Sequence, residues 1–353
     1  MGLYSKWRGR HLIIRTLFIL AGLSVVSNCT SQANASQPVQ EISSAGDEIA
    51  ARNKVFSEVK NLIAANDFNS LTTLEETYRT SRSRTASGYW YLGLFHAEVE
   101  SFVLEGLTAA EGCVPLHADF VARWRAAVPT NPAPIIAEAT MLLNEGWCYR
   151  GDGFANTVTP EAWAIFQDKL QAAYELLETN KQIASINPEY YAVQTTLYRG
   201  LNAPADKFKD LMDEATKREP GYYRTYTNGV FYHLPKWGGS WGEVDRFLRY
   251  AAKKSEKTDG SGLYVRILWN LEVCNCDIIK EVADWPTLQA SMRDVYQRFP
   301  NGRNREYFMK LSCKMGKPQE AFDLAQMAFP EKGKDELNSM TMQACSEAMA
   351  ESR

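Results

Sequence analysis

An all-α fold, built as an irregular solenoid of helical pairs, is what this chain of 353 residues predicts. Three observations lead there. Apolar side chains recur at steps of three and four, no convincing segment alternates apolar with polar residues, and a proline–aromatic motif returns along the chain. Trp163, Phe166, Leu170, Ala173 and Leu177 mark one helical face, and Val244, Phe247, Leu248 and Ala251 mark another. With 45% hydrophobic residues, including 15 Phe, 17 Tyr and 9 Trp, the composition supports a sizeable core.

The repeat is short but specific. "NPEYY" at 187–191 returns as "EPGYY" at 219–223, 32 residues on. That is close to the period of about 34 in tetratricopeptide arrays, where proline closes one helix pair and opens the next. "RFPNGRNREYF" at 298–308 reads as a degenerate later copy. "CKMGKPQEAFDLA" at 313–325 and "ANDFNSLTTLEETY" at 65–78 have the turn and apolar spacing of paired helices. Such scaffolds bury a continuous core between repeats and leave a concave face for a partner.

Taken from the N-terminus, Lys6, Arg8, Arg10 and Arg15 precede the apolar run "TLFILAGLSVVS" at 16–27. Twelve residues are too few for a membrane span of about 20. A positive flank, a short apolar core and small residues beyond it read as a signal peptide over 1–28. "VVSNC" resembles a lipobox and places a lipid on Cys29, whereas "ANA" at 33–35 is an ordinary cleavage site. Thr30 offers no inner-membrane retention signal. The expectation is therefore a bacterial envelope protein, lipid-anchored and outer-membrane, or periplasmic if cut after Ala35. Residues 29–44 read as a flexible tether reaching about 20 Å, and 45–353 as one α-helical repeat domain.

Removing the leader would remove four positive charges and take the net charge from −3 to −7. An acidic chain lacks the basic footprint of a nucleic-acid binder. Six cysteines would follow the anchor: Cys113, Cys148, Cys274, Cys276, Cys313 and Cys345. An even number in an oxidising compartment permits disulfides. Cys113 with Cys148 is the preferred pair, because the two flank one helix-and-loop unit.

No catalytic residue, metal site or cofactor motif emerges. Cys274-x-Cys276 is too tight for zinc or thioredoxin chemistry, and His96, His117 and His233 are scattered. Thr159-Pro160 reads as a helix start. "LPKWGGSWGEVDRF" at 234–247 has Lys236 before its glycines, the reverse of a phosphate loop. It reads as a helix–loop–helix turn with Trp237 buried against neighbouring helices and Gly238 or Gly239 at positive φ. "WCYRGDGF" at 147–154 ends a helix that starts near Pro132, with Arg150 capping carbonyls. The functional alternative gathers Arg150, Asp152, Lys236, Trp237 and Trp241 into one binding cleft.

The segments beginning "EGWCYRGDGFANTVTPEAW", "YHLPKWGGSWGEVDRF" and "DWPTLQASMRDVYQRFPNGRNREYF" resemble the bacterial family called domain of unknown function 4034. The similarity runs from about Phe68 to Phe329, with Leu234-Pro235-x-Trp237-Gly238-Gly239 its most specific part. It implies a tetratricopeptide-like fold and brings no activity and no catalytic residue. The functional expectation is a non-catalytic envelope scaffold for another protein or peptide, touching the membrane only through its lipid. An envelope enzyme using the Arg150 and Trp237 loops is the alternative.

Overall fold

The computed structural model describes residues 44–274 and 278–351. The expected signal peptide, Cys29, nearly all of the expected tether and Cys276 lie outside the described residues. Within them the chain is all-α, with one isolated bridge between Arg84 and Trp90. The first helices are α1 (Ala45–Ala64), α2 (Phe68–Ser81), α3 (Tyr91–Val103), α4 (Ala118–Ala127), α5 (Pro132–Arg150) and α6 (Pro160–Thr179). Next come α7 (Lys181–Ala184), α8 (Glu189–Gly200), α9 (Ala205–Arg218), α10 (Tyr223–Gly229), α11 (Trp241–Asp259) and α12 (Leu263–Cys274). The last are α13 (Ile278–Val282), α14 (Trp285–Arg298), α15 (Gly302–Lys314), α16 (Pro318–Ala328) and α17 (Lys334–Glu351). No described helix is long and apolar enough to cross a membrane.

Helix starts follow local chemistry. Ser44 opens α1 in a reciprocal capping box with Asp47, and Asp67, Thr159, Ser240 and Asp284 each accept an amide of the first turn. Helix stops explain the repeat. Val128, Glu219, Phe299 and Phe329 follow α4, α9, α14 and α16 with φ between −134° and −141° and ψ between 63° and 81°. Each precedes a proline, whose ring bars the residue before it from the α region. A residue before proline thus stops a helix four times, and two of these stops, at Glu219 and Phe299, fall in copies of the motif.

Three buried asparagines restart helices, Asn131 and Asn301 after such turns and Asn187 after α7. The side-chain oxygens of Asn131, Asn187 and Asn301 accept from the amides of Ala133, Glu189 and Arg303 at 2.8, 2.9 and 2.8 Å. The two best copies of the repeat also bond each other, because Tyr222 donates to Glu189 at 2.6 Å.

The core forms three main apolar clusters. One joins α1–α4 to α5, a second joins α5, α6, α8 and α9, and the largest runs from α8 to α17 and takes in Trp90 and Leu92 from the start of α3. Helix α5 serves the first through Ala133, Ala137 and Met141 and the second through Ile135, Ile136, Ala139 and Leu143. It is apolar nearly all round because it is covered on opposite faces. Phe166, Leu170, Ala173 and Leu177 are buried as their spacing predicts, and so are Val244, Phe247, Leu248 and Ala251.

The solenoid departs from an open arc. Helix α1 touches α15, and the 82–90 segment is wedged between distant helices. Ser87 O accepts from Arg266 at 2.6 Å and Asn304 at 3.1 Å, while Arg84 grips Asp259 through both Nη atoms. Buried Glu48 of α1 accepts from Thr85, the Ser87 amide and hydroxyl, and Arg52. Most buried polar groups at this wedge meet partners across the turn, while Arg266 Nε and Asn304 Oδ1 are enclosed without one.

Two disulfides are present, Cys113–Cys148 and Cys313–Cys345, with Cα atoms 5.7 and 5.0 Å apart. The first is the pair preferred from sequence. The second ties α17 to α15, and nothing in the cysteine spacing singled it out.

Candidate functional site

The Arg150 and Trp237 loops meet. The last turn of α5 delivers Trp147 and Arg150, the first turn of α6 delivers Trp163, and a single 3-10 turn at Pro235–Trp237 delivers Trp237. Trp147 and Trp237 cross edge to face at 5.6 Å and 87°. The Arg150 guanidinium carbon lies 5.5, 5.4 and 5.8 Å from the rings of Trp147, Trp163 and Trp237. Arg199, from the last turn of α8, lies 5.2 Å from Trp147 and 5.1 Å from Trp237. Cation–ring contacts of this kind contribute about 0.5–2 kcal/mol each, more where water is excluded.

Arg150 also does what its helix end requires. Its Nη1 donates to the carbonyls of Gly151 and Gly153 at 2.9 and 3.0 Å, and Gly151 turns the chain at φ +67°. Among the described residues no carboxylate forms an ion pair with it. Burial pulls its pKa down from the ordinary value, opposed by the charge of Asp152. The indole N–H groups of Trp147 and Trp237 and the Arg150 Nε are enclosed without an acceptor. This cluster is rich in donors and poor in acceptors.

Of the other expected members, Asp152 and Trp241 lie apart and Lys236 stays at the edge of the cluster. Asp152 is exposed and acts on Arg150 only at a distance. Trp241, half-buried at the start of α11, packs on the largest core cluster. Lys236 is exposed, with its Nζ 5.5 Å from the Trp237 ring. Trp237 packs on the same core cluster as Trp241, as expected, but is half-buried and not fully buried, because its ring also faces two guanidinium groups.

Arg199 was not singled out in the sequence, yet a signal existed. The triplet Tyr-Arg-Gly occurs at 149–151 and again at 198–200. Both copies end helices, and both arginines reach the same pair of indoles.

The glycines of the 234–247 stretch differ in role. Gly238 carries φ +90° with open space around it. At Gly239 a β-carbon would stand 2.1 Å from the His233 carbonyl oxygen. Gly239→Ala is therefore expected to cost about 3 kcal/mol or more, against about 1–2 kcal/mol for Gly238→Ala. Urea unfolding of both variants checks the order, and a cheaper Gly239→Ala would show that the 233 turn yields.

The histidines have structural partners. Buried His96 accepts from Asn187 Nδ2 at 2.8 Å, and burial drives its pKa far down. The same amide group donates to Glu75 at 2.8 Å, whose carboxyl burial pushes upward. A cavity of about 10 Å³ beside His96 and Glu189 has room for one water at most. His117 stacks on Phe102 at 3.8 Å, and His233 sits among Phe208, Tyr232 and Phe247. Among the described residues no group of three His, Cys, Asp or Glu could hold a metal ion.

No protein-family model, curated protein or solved structure matches the chain. The resemblance to domain of unknown function 4034 rests on the quoted segments alone.

Proposed function

We propose that this protein is a non-catalytic helical-repeat binding module of the bacterial envelope, a member of the domain of unknown function 4034 group, anchored through lipid on Cys29. It takes an envelope protein or peptide at the cluster of Arg150, Trp147, Trp163, Arg199 and Trp237. One observation carries the reading: Arg150 is held among three indoles, half out of water, bonded to main-chain carbonyls and, among the described residues, in no ion pair, with exposed Asp152 acting on it only at a distance. A half-desolvated cation of this kind is stabilised by an incoming acceptor, and Trp and Arg are the residue types that dominate binding hot spots. The alternative, an envelope enzyme, would need a nucleophile beside its base. The cluster supplies indoles, guanidinium groups and carbonyls.

The test is photocrosslinking from position 236 in intact cells, read by mass spectrometry. One stoichiometric partner is expected, lost in Arg150→Gln and Trp237→Ala at unchanged folded fraction. Equal capture by both variants would overturn the reading. The intact mass of the membrane-extracted chain reads the anchor: lipid on Cys29 is expected, and a start at Ser36 would replace it with a soluble form.

A further inference from the structure

A second site shares no residue with the cluster just described. The end of α2, the turn after α7 and the end of α9 enclose a pocket of about 320 Å³, within the size range of small-molecule sites. Three guanidinium groups line it, those of Arg79, Arg82 and Arg218, with Glu219 as the one carboxylate in the lining. Ile186, Pro188 and Tyr191 form its apolar part, and Ile186 is 48% exposed.

Each arginine pairs within the chain by its Nε edge. Arg79 meets Glu75 at 2.9 Å, Arg82 meets Glu219 at 2.6 Å, and Arg218 meets Glu214 at 3.5 Å. The Nη atoms of Arg82 and Arg218 make no hydrogen bond among the described residues, so two forks remain open to an acceptor. Arg79 also has Glu76 3.7 Å from its Nη2, so every guanidinium charge here has a carboxylate close by. What the lining offers an anion is the open Nη edges of Arg82 and Arg218 rather than a net positive charge. Guanidinium forks match planar or tetrahedral oxyanions through paired N–H bonds.

We infer that this pocket binds a small oxyanion carrying two negative charges, a phosphate or a dicarboxylate, held by Arg82 and Arg218 over the apolar floor of Ile186 and Pro188. Glu219 competes with the ligand for Arg82 and so weakens it.

Calorimetric titration of the mature chain at low salt, with inorganic phosphate in one arm and succinate in the other, tests this. Saturable binding of at least one anion is expected, and the tighter arm identifies the class. Arg82→Gln and Arg218→Gln should each weaken it about tenfold, the loss of one charge-assisted bond. Glu219→Gln should tighten it several-fold. The side chains of Arg82 and Arg218 are 63% and 49% exposed, so both variants should fold, and circular dichroism confirms that. No saturation by either anion up to about 10 mM, or binding indifferent to all three changes, overturns the inference.

Discussion

Glu189→Leu is expected to destabilise the protein by about 3–5 kcal/mol, the cost of removing one partner from a buried ion pair. The Glu189 side chain is 3% exposed and serves three donors at once. Arg224 Nε reaches both of its oxygens at 2.9 Å, Arg224 Nη2 stands 2.8 Å away, and Tyr222 donates its hydroxyl at 2.6 Å. Without the carboxylate, Arg224 retains only Glu100, at 2.7 Å, whose side chain is 34% exposed and partly screened by water. Tyr222, 1% exposed, loses its hydroxyl's acceptor. Adding Arg224→Met should recover much of the loss, since an apolar pair leaves no charge stranded. Chemical unfolding of both variants gives the answer, and a cost below about 1 kcal/mol for Glu189→Leu would mean that water reaches Arg224.

Loss of the disulfides should have a comparable effect. The cysteines of the two bridges are 35 and 32 residues apart, so the chain-entropy account assigns each about 4 kcal/mol. Cys113→Ala with Cys148→Ala should loosen the last turn of α5, where Cys148 sits beside Trp147 and two residues before Arg150. Cys313→Ala with Cys345→Ala should release α17 from α15. Peptide mapping without reductant should recover both cross-linked pairs. Six reactive thiols in protein purified without reductant would remove the basis for both figures.

Elements with a local cause were legible in the sequence. Thr159-Pro160 opened a helix where expected, because a hydroxyl cap and a proline at the first turn act within a few residues. The faces of α6 and α11 were readable because burial on one side imposes a period of 3.6. The proline motif pointed to a repeat, and in two of its copies, at Glu219 and Phe299, the residue before proline stops a helix. For Arg150 the sequence showed its capping role, and the triplet it shares with Arg199 lay open to reading.

The remainder was decided by tertiary structure. Which of five candidate residues would meet depended on three helix ends converging, and that kept Arg150, Lys236 and Trp237 together while leaving Asp152 and Trp241 apart. The pairing of Cys313 with Cys345, the wedge at 82–90 and the arginine pocket all join segments remote in the chain. Helical periodicity, caps and stops are short-range effects, written in neighbouring residues. Contacts between distant segments depend on the accumulated angles of every helix between them, which no local pattern encodes. By itself the sequence therefore determined an all-α repeat and its turns. The cluster, its half-buried tryptophan and its arginine without an ion pair among the described residues came from packing.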